Sequence, residues 1–181
     1  HACGSLQKKI SPGDVVVLDQ FVDRTSTRKD TYFDGPIATH VSTAFPYCER
    51  LRRQSAKTAK KLGLKVHQGG TVVVISGPRF STAAESLWFT KMGWDVVNMT
   101  QYPEVALARE LQICYCALAF PTDYDSGVIL ESKIKPVSAR EVAEVFGKNI
   151  DKAKNLILEM VKNWPRENGC ECQRALEEAR F

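Results

Sequence analysis

The chain is 181 residues long, 44% hydrophobic and 25% charged, enough apolar mass for one domain with a real core and too much for a disordered or low-complexity chain. Its 25 Lys and Arg against 21 Asp and Glu leave a formal charge of +4, with the signs mixed along most of the chain, so charge alone asks for no nucleic-acid partner. No apolar run approaches the roughly 20 residues of a spanning helix, and the N-terminus lacks a charged region followed by an apolar signal core; no membrane contact and a cytoplasmic location are expected.

In chain order, 15–18 reads as a strand after Pro12-Gly13-Asp14. Residues 20–45 are polar, contain Gly35-Pro36 and show few periodic apolar positions, which predicts a long loop, a length usually reserved for function. Helical spacing predicts a helix over 49–62 ended by Gly63, and Gly69-Gly70 turns into a buried strand over 71–76, with His67 in the surface turn before it. Ser81 is placed as the cap of a helix through Met92 that stops at Gly93. Pro103 and Glu104 open a helix to about Leu111, and 113–120 is a β-rich run on which Cys114 and Cys116 share one face. Ser138-Ala139-Arg140-Glu141 is a capping box for the last long helix, with Val142, Val145, Phe146, Ile150, Ala153, Leu156 and Ile157 at helical spacing. Strands alternate with helices without an obvious linker or repeat, so one α/β domain over residues 1–181 is expected.

Three of the strand-like runs stop at short polar strings: Gly77-Pro78-Arg79-Phe80, Asn98-Met99-Thr100 and Thr122-Asp123-Tyr124-Asp125. Open α/β sheets bind small ligands beyond the carboxyl ends of their strands, which makes these strings the candidate site. Taken on residue type alone, each has a plainer reading: an Asx-rich turn at 122–125, core filler at Met99, a helix cap at Thr100 and core at Phe80. A calcium loop starting at Asp123 fails at its twelfth position, which is Ile134 rather than Glu.

Together with Ala2-Cys3-Gly4-Ser5-Leu6, Asp19-Gln20-Phe21-Val22-Asp23-Arg24-Thr25, Ser81 and Glu85-Ser86, the ordered set resembles the trimeric purine nucleoside phosphorylases, and above all their 5′-methylthioadenosine-cleaving branch. The resemblance runs from Ala2 to about Met160 and covers about the last two-thirds of the family pattern. It implies a mixed β-sheet flanked by helices and phosphorolysis of 5′-methylthioadenosine to adenine and 5-methylthioribose-1-phosphate. Inorganic phosphate is then a co-substrate, with no further cofactor and no metal. By resemblance Asp123 is the acid at the purine N7 and 6-amino group, and relatives that prefer 6-oxopurines carry Asn there; Asp125 supports it. Phe80 stacks on the base, Ser81 and Asn98 lie beside it, Met99 runs along the ribose, and Thr100 with the Ala2 N–H binds phosphate. His40 corresponds to a histidine that reaches a neighbouring subunit's ligand in a homotrimer or higher assembly. Arg79 is expected to serve its loop, and Ser76 stands where many such enzymes have Glu. The family pattern carries an N-terminal phosphate loop and an Arg-His pair ahead of the matched region, and His1 stands where a Thr or similar phosphate-binding residue is expected; the chain then reads as a fragment, as one half of a nicked or split enzyme whose companion N-terminal segment completes the phosphate site, or as a remnant without activity.

Six cysteines, Cys3, Cys48, Cys114, Cys116, Cys170 and Cys172, allow 15 pairings. The resemblance implies disulfides, a Cys-x-Cys pair such as 170 and 172 among them, as suits a hyperthermophile. Buried thiols are the plainer reading, and zinc held by the two Cys-x-Cys pairs has spacing unlike a ribbon or finger. Two rival functions remain: a 6-oxopurine phosphorylase, and a non-catalytic basic module using Arg50, Arg53, Lys57, Lys60 and Lys61 on one helix, a stripe without the aromatics of a single-strand platform.

Overall fold

One mixed sheet of seven strands organises the chain, which the computed structural model describes over residues 1–130, 138–164 and 169–180. Ile134 lies outside the described residues. The strands are β1 (Ala2–Ser5), β2 (Val15–Val17), β3 (Gln20–Arg24), β4 (Val66–Gln68), β5 (Thr71–Ile75), β6 (Val96–Asn98) and β7 (Leu118–Tyr124), in the order β3-β5-β6-β1-β7-β2-β4. The helices are α1 (Glu49–Lys61), α2 (Ala83–Lys91), α3 (Glu104–Glu110), α4 (Ser126–Leu130) and α5 (Ala139–Lys162), with a 3-10 turn at Glu171–Arg174.

Strands β3, β5 and β6 run parallel, and β1 turns the sheet over by pairing antiparallel to β6 and parallel to β7. Residues alternate between faces along a strand, and the core follows that alternation. Val72 and Val74 join Cys3, Val16, Val96 and Ala119 against Val105 of α3, whereas Val73 and Val97 join Leu6 against Phe89 of α2. Val15 and Phe120 pack against Ala59 of α1 and against Leu156 and Met160 of α5. At the turn from β4 to β5, a Cβ on Gly70 would lie 2.9 Å from Val16 Cγ1, so no side chain fits there.

Several predicted boundaries hold for visible reasons. Helix α1 ends on Leu62 and Gly63, whose φ of +73° glycine adopts without strain. Ser138 and Glu141 form the reciprocal capping box that opens α5. Four expectations are corrected. Helix α2 is capped by Thr82, whose hydroxyl accepts from the Glu85 N–H at 3.1 Å, and not by Ser81. The predicted loop 20–45 begins as edge strand β3, whose hydrogen bonds come from β5 on one side and which needs no strong apolar pattern. His67 sits in β4 rather than a turn, with Nε2 2.8 Å from the buried Asp14 carboxylate. Strand β7 starts at Leu118, five residues late, and continues through Tyr124, so Cys114 and Cys116 share no strand face and 122–124 is strand rather than loop.

The pairing of β1 with β7 contains a bulge. Ala2 and Cys3 face Phe120 and Pro121, then Gly4 and Ser5 face Asp123 and Tyr124, leaving Thr122 as the extra residue. The Thr122 hydroxyl returns a hydrogen bond to the Cys3 carbonyl at 3.2 Å. The rest of the long loop is pinned from below: Glu110 accepts from the Thr31 hydroxyl at 2.6 Å and the Tyr32 N–H at 2.7 Å, and Arg109 Nε donates to the Ser42 carbonyl at 3.2 Å.

Candidate active site

A cavity of about 370 Å³, within the usual range for small-molecule sites, lies where β5 and β6 end and spreads over the face of β1 and β7. Ala2, Phe80, Ser81, Asn98, Met99, Thr100, Asp123 and Asp125 all line it, eight of the nine expected site residues, His40 being the exception. The ends of β5 and β6 meet there as expected. Strand β7 runs the other way, and brings Asp123 in from across β1 rather than from a shared carboxyl edge.

Asp123 faces the cavity because the bulge at Thr122 re-aims it. Its Oδ1 accepts from the Thr122 hydroxyl at 2.7 Å, and a Cβ built on Gly4 would stand 3.5 Å from its Oδ2 and 3.5 Å from Asp125 Cβ, so glycine at 4 keeps open the space before both acids. Burial pushes the Asp123 carboxyl up to about 6, the Thr122 hydroxyl pulls it down, and the neighbouring charge of Asp125 pushes it further up. Burial also raises Asp125, whose Oδ1 accepts from the Ser81 hydroxyl at 3.2 Å and whose N–H donates to the Ser5 carbonyl at 2.8 Å. Two adjacent acids whose carboxyls are raised by burial can act as proton donor and support.

Opposite them, Asn98 is buried with Nδ2 3.0 Å from His1 Nδ1. Phe80 is 48% exposed and lines the cavity, so it is not core filler. Arg79 makes a two-armed pair with Glu85 at 2.7 and 2.8 Å, so it serves its loop. His40 does not line this cavity. Its N–H donates to the Ala179 carbonyl at 2.7 Å and it borders a separate hollow with Arg109 and Glu178.

Sequence reading missed Arg28. Its guanidinium donates to the Met99 carbonyl at 2.8 Å and the Ser76 carbonyl at 3.2 Å, and also to the Tyr102 carbonyl, tying the long loop to the Asn98-Met99-Thr100 turn. An isolated Arg in a polar loop carries no spacing signal that could have flagged it. A second cavity of about 580 Å³ shares His1 and Thr100 but runs between Tyr115 and α5, away from the acids. The basic stripe of α1 is not a continuous free face: Arg50 turns to Cys114 Sγ at 3.6 Å and Arg53 pairs with Glu49 at 2.8 Å.

All six cysteines are free thiols, so the disulfides implied by resemblance are not formed in this structure. Cys116 lies 3.5 Å from the Ser55 hydroxyl, apart from a cluster of Cys48, Cys114, Cys170 and Cys172.

Comparison with known proteins agrees with this geometry. The chain is 47% identical over 178 residues to an S-methyl-5′-thioadenosine phosphorylase of Thermofilum pendens, covering 98% of this chain and 66% of that protein. It is 45% identical over 185 residues to a purine nucleoside phosphorylase of Streptomyces coelicolor, covering 97% of this chain and 65% of that protein. The chain therefore spans just under two thirds of the length of these curated relatives. A methylthioadenosine phosphorylase of Schistosoma mansoni, solved with adenine, superposes with a TM-score of 0.90 at 34% identity, covering 99% of this chain and 70% of that one. The model of the phosphorylase superfamily matches residues 2–162, and the chain belongs to that superfamily.

Proposed function

We propose that the protein takes part in the phosphorolysis of 5′-methylthioadenosine, giving adenine and 5-methylthioribose-1-phosphate. The observation that carries this reading is the half-buried Asp123, an acid rather than an amide, with its carboxyl raised to about 6 beside a cavity of about 370 Å³. As the C1′–N9 bond breaks, its electron pair enters the purine and N7 becomes basic. Asp123 gives its proton to N7, and a phosphate oxygen forms the new bond at C1′. One Asp123 oxygen is held by Thr122, which leaves the other for the base. An anionic phosphate held beneath the ribose by Thr100 and the Ala2 backbone stabilises the positive charge that develops on the sugar and serves as nucleophile.

The reading gives the remaining ligands of the phosphate to a companion N-terminal segment; among the described residues no Lys or Arg lines the cavity. The reading extends to a homotrimer in which His40, which faces away from its own cavity, serves a neighbouring ligand. It also extends to cytoplasmic purine and methionine salvage, because the products are a free base and a phosphorylated methylthio sugar. No helix among the described residues is long and apolar enough to cross a membrane.

The test is adenine release from methylthioadenosine with and without phosphate, beside hypoxanthine release from inosine. Phosphate-dependent release of adenine, faster than release of hypoxanthine, is expected. Release without phosphate or a preference for inosine overturns the reading, as does no release once the companion N-terminal segment is supplied; a preference for inosine would favour the purine nucleoside activity named for the Streptomyces relative.

A further inference from the structure

Cys48 is the residue before α1, Cys114 lies in the segment between α3 and β7, and Cys170 and Cys172 flank the start of the C-terminal 3-10 turn. Their four sulfur atoms all lie within 4.8 Å of one another, with Cys114 and Cys170 at a non-bonded 3.1 Å. Zinc with bonds of about 2.3 Å to four thiolates at tetrahedral corners places the sulfurs roughly 3.8 Å apart, a size this cluster matches with small side-chain shifts.

We infer that Cys48, Cys114, Cys170 and Cys172 form a binding site for one structural zinc ion, with Cys116 excluded.

The surroundings suit the charge that this requires. Four thiols release four protons as the ion binds, leaving a centre of net charge −2. Arg50 offers its guanidinium to Cys114 Sγ at 3.6 Å and hydrogen-bonds Cys48 as well, the outer contacts that orient thiolate ligands and offset their charge. A cavity of about 820 Å³ opens on Cys48, Cys170 and Cys172 and gives the ion an entry. Sequence spacing argued against zinc because it paired 114 with 116. The fold replaces Cys116 with Cys48, whose sequence distance from the others hides it. The ion would bind the C-terminal segment to α1, and that segment in turn holds the long loop through the Ala179 carbonyl on the His40 N–H.

The test is to reduce the purified chain anaerobically, strip it with a chelator, load it with Zn²⁺ or Co²⁺, desalt it and measure bound metal by mass spectrometry. One ion per chain is expected, with Cys170 and Cys172 protected from alkylation and, for cobalt, the visible spectrum of a tetrahedral thiolate site. Cys172→Ser should lower retained metal at least tenfold, and Cys116→Ser should leave it unchanged. If Cys172→Ser does not fold, the cobalt spectrum of the unsubstituted chain decides. Reduced protein that retains no metal, metal retained equally by Cys172→Ser, or loss of metal in Cys116→Ser overturns the assignment; recovery of these cysteines as disulfides in a reduced chain that then takes no ion assigns the cluster to redox pairing instead.

Discussion

Replacing Asp123 by Asn separates the acid from the shape of the site. At pH 7 a carboxyl that titrates at about 6 is protonated in roughly one molecule in ten, against roughly one in 1,600 at the ordinary 3.8, so burial raises the population of the donor about a hundredfold. General acid catalysis is worth about 100-fold or more, and Asp123→Asn is expected to lower kcat/KM for methylthioadenosine by about that factor while inosine turnover falls less. Stability should move the other way. The folded carboxyl binds its proton more tightly than the unfolded one, so the wild-type protein loses stability as pH rises from the ordinary carboxylate range through about 6, and Asn does not titrate. A shift of about two units, reduced for partial solvent access, corresponds to about 2 kcal/mol. Thermal melts at pH 8 and pH 4, run beside initial rates by adenine release, read both effects. An Asp123→Asn protein with undiminished methylthioadenosine turnover, or with no gain in relative stability at pH 8, would refute the role given to the buried acid.

Arg28→Ala should raise KM about tenfold with a smaller change in kcat, because it frees the carbonyls of Ser76 and Met99 and so loosens the Asn98-Met99-Thr100 turn that lines the cavity; steady-state kinetics check this. Leu156→Ala, in the fully buried contact of α5 with Val15 and Phe120, should cost about 3 kcal/mol in urea denaturation. Burial alone would raise Asp14, but hydrogen bonds from Lys65, His67 and the Ser11 N–H hold its carboxyl below the usual range. That stability is present above the ordinary carboxylate value and is lost as pH falls through the lowered one. Asp14→Asn should therefore cost about 2 kcal/mol at pH 7 and flatten the acid limb of the melting curve.

The helices were legible because their signals are local. The capping box at Ser138 and Glu141 and the glycine after Leu62 act within one turn of chain, so spacing finds them. Strand β3 and the cysteine cluster were not legible, since both depend on partners far away in sequence: β3 on the ladder with β5, and Cys48 on sulfurs more than sixty residues distant. The site divides in the same way. The three strings and Ala2 reach one cavity, but the path by which Asp123 gets there, antiparallel to β6 and past a bulge, is a property of the whole sheet. Ser81 and Thr82 were confused because both hydroxyls precede α2, and only the reciprocal bond to Glu85 tells them apart.

The extra residue at Thr122 gives the binding cleft an unequal tolerance to change. A strand shows opposite faces at successive positions, so deleting or adding one residue between Pro121 and Asp123 would turn the carboxylate out of the cleft and send Tyr124 or Thr122 in. Exchanging Asp for Asn at 123 disturbs none of that counting. The choice of acid or amide at 123 is thus open to drift by single-letter substitution, whereas length variation across the same few residues is closed to it.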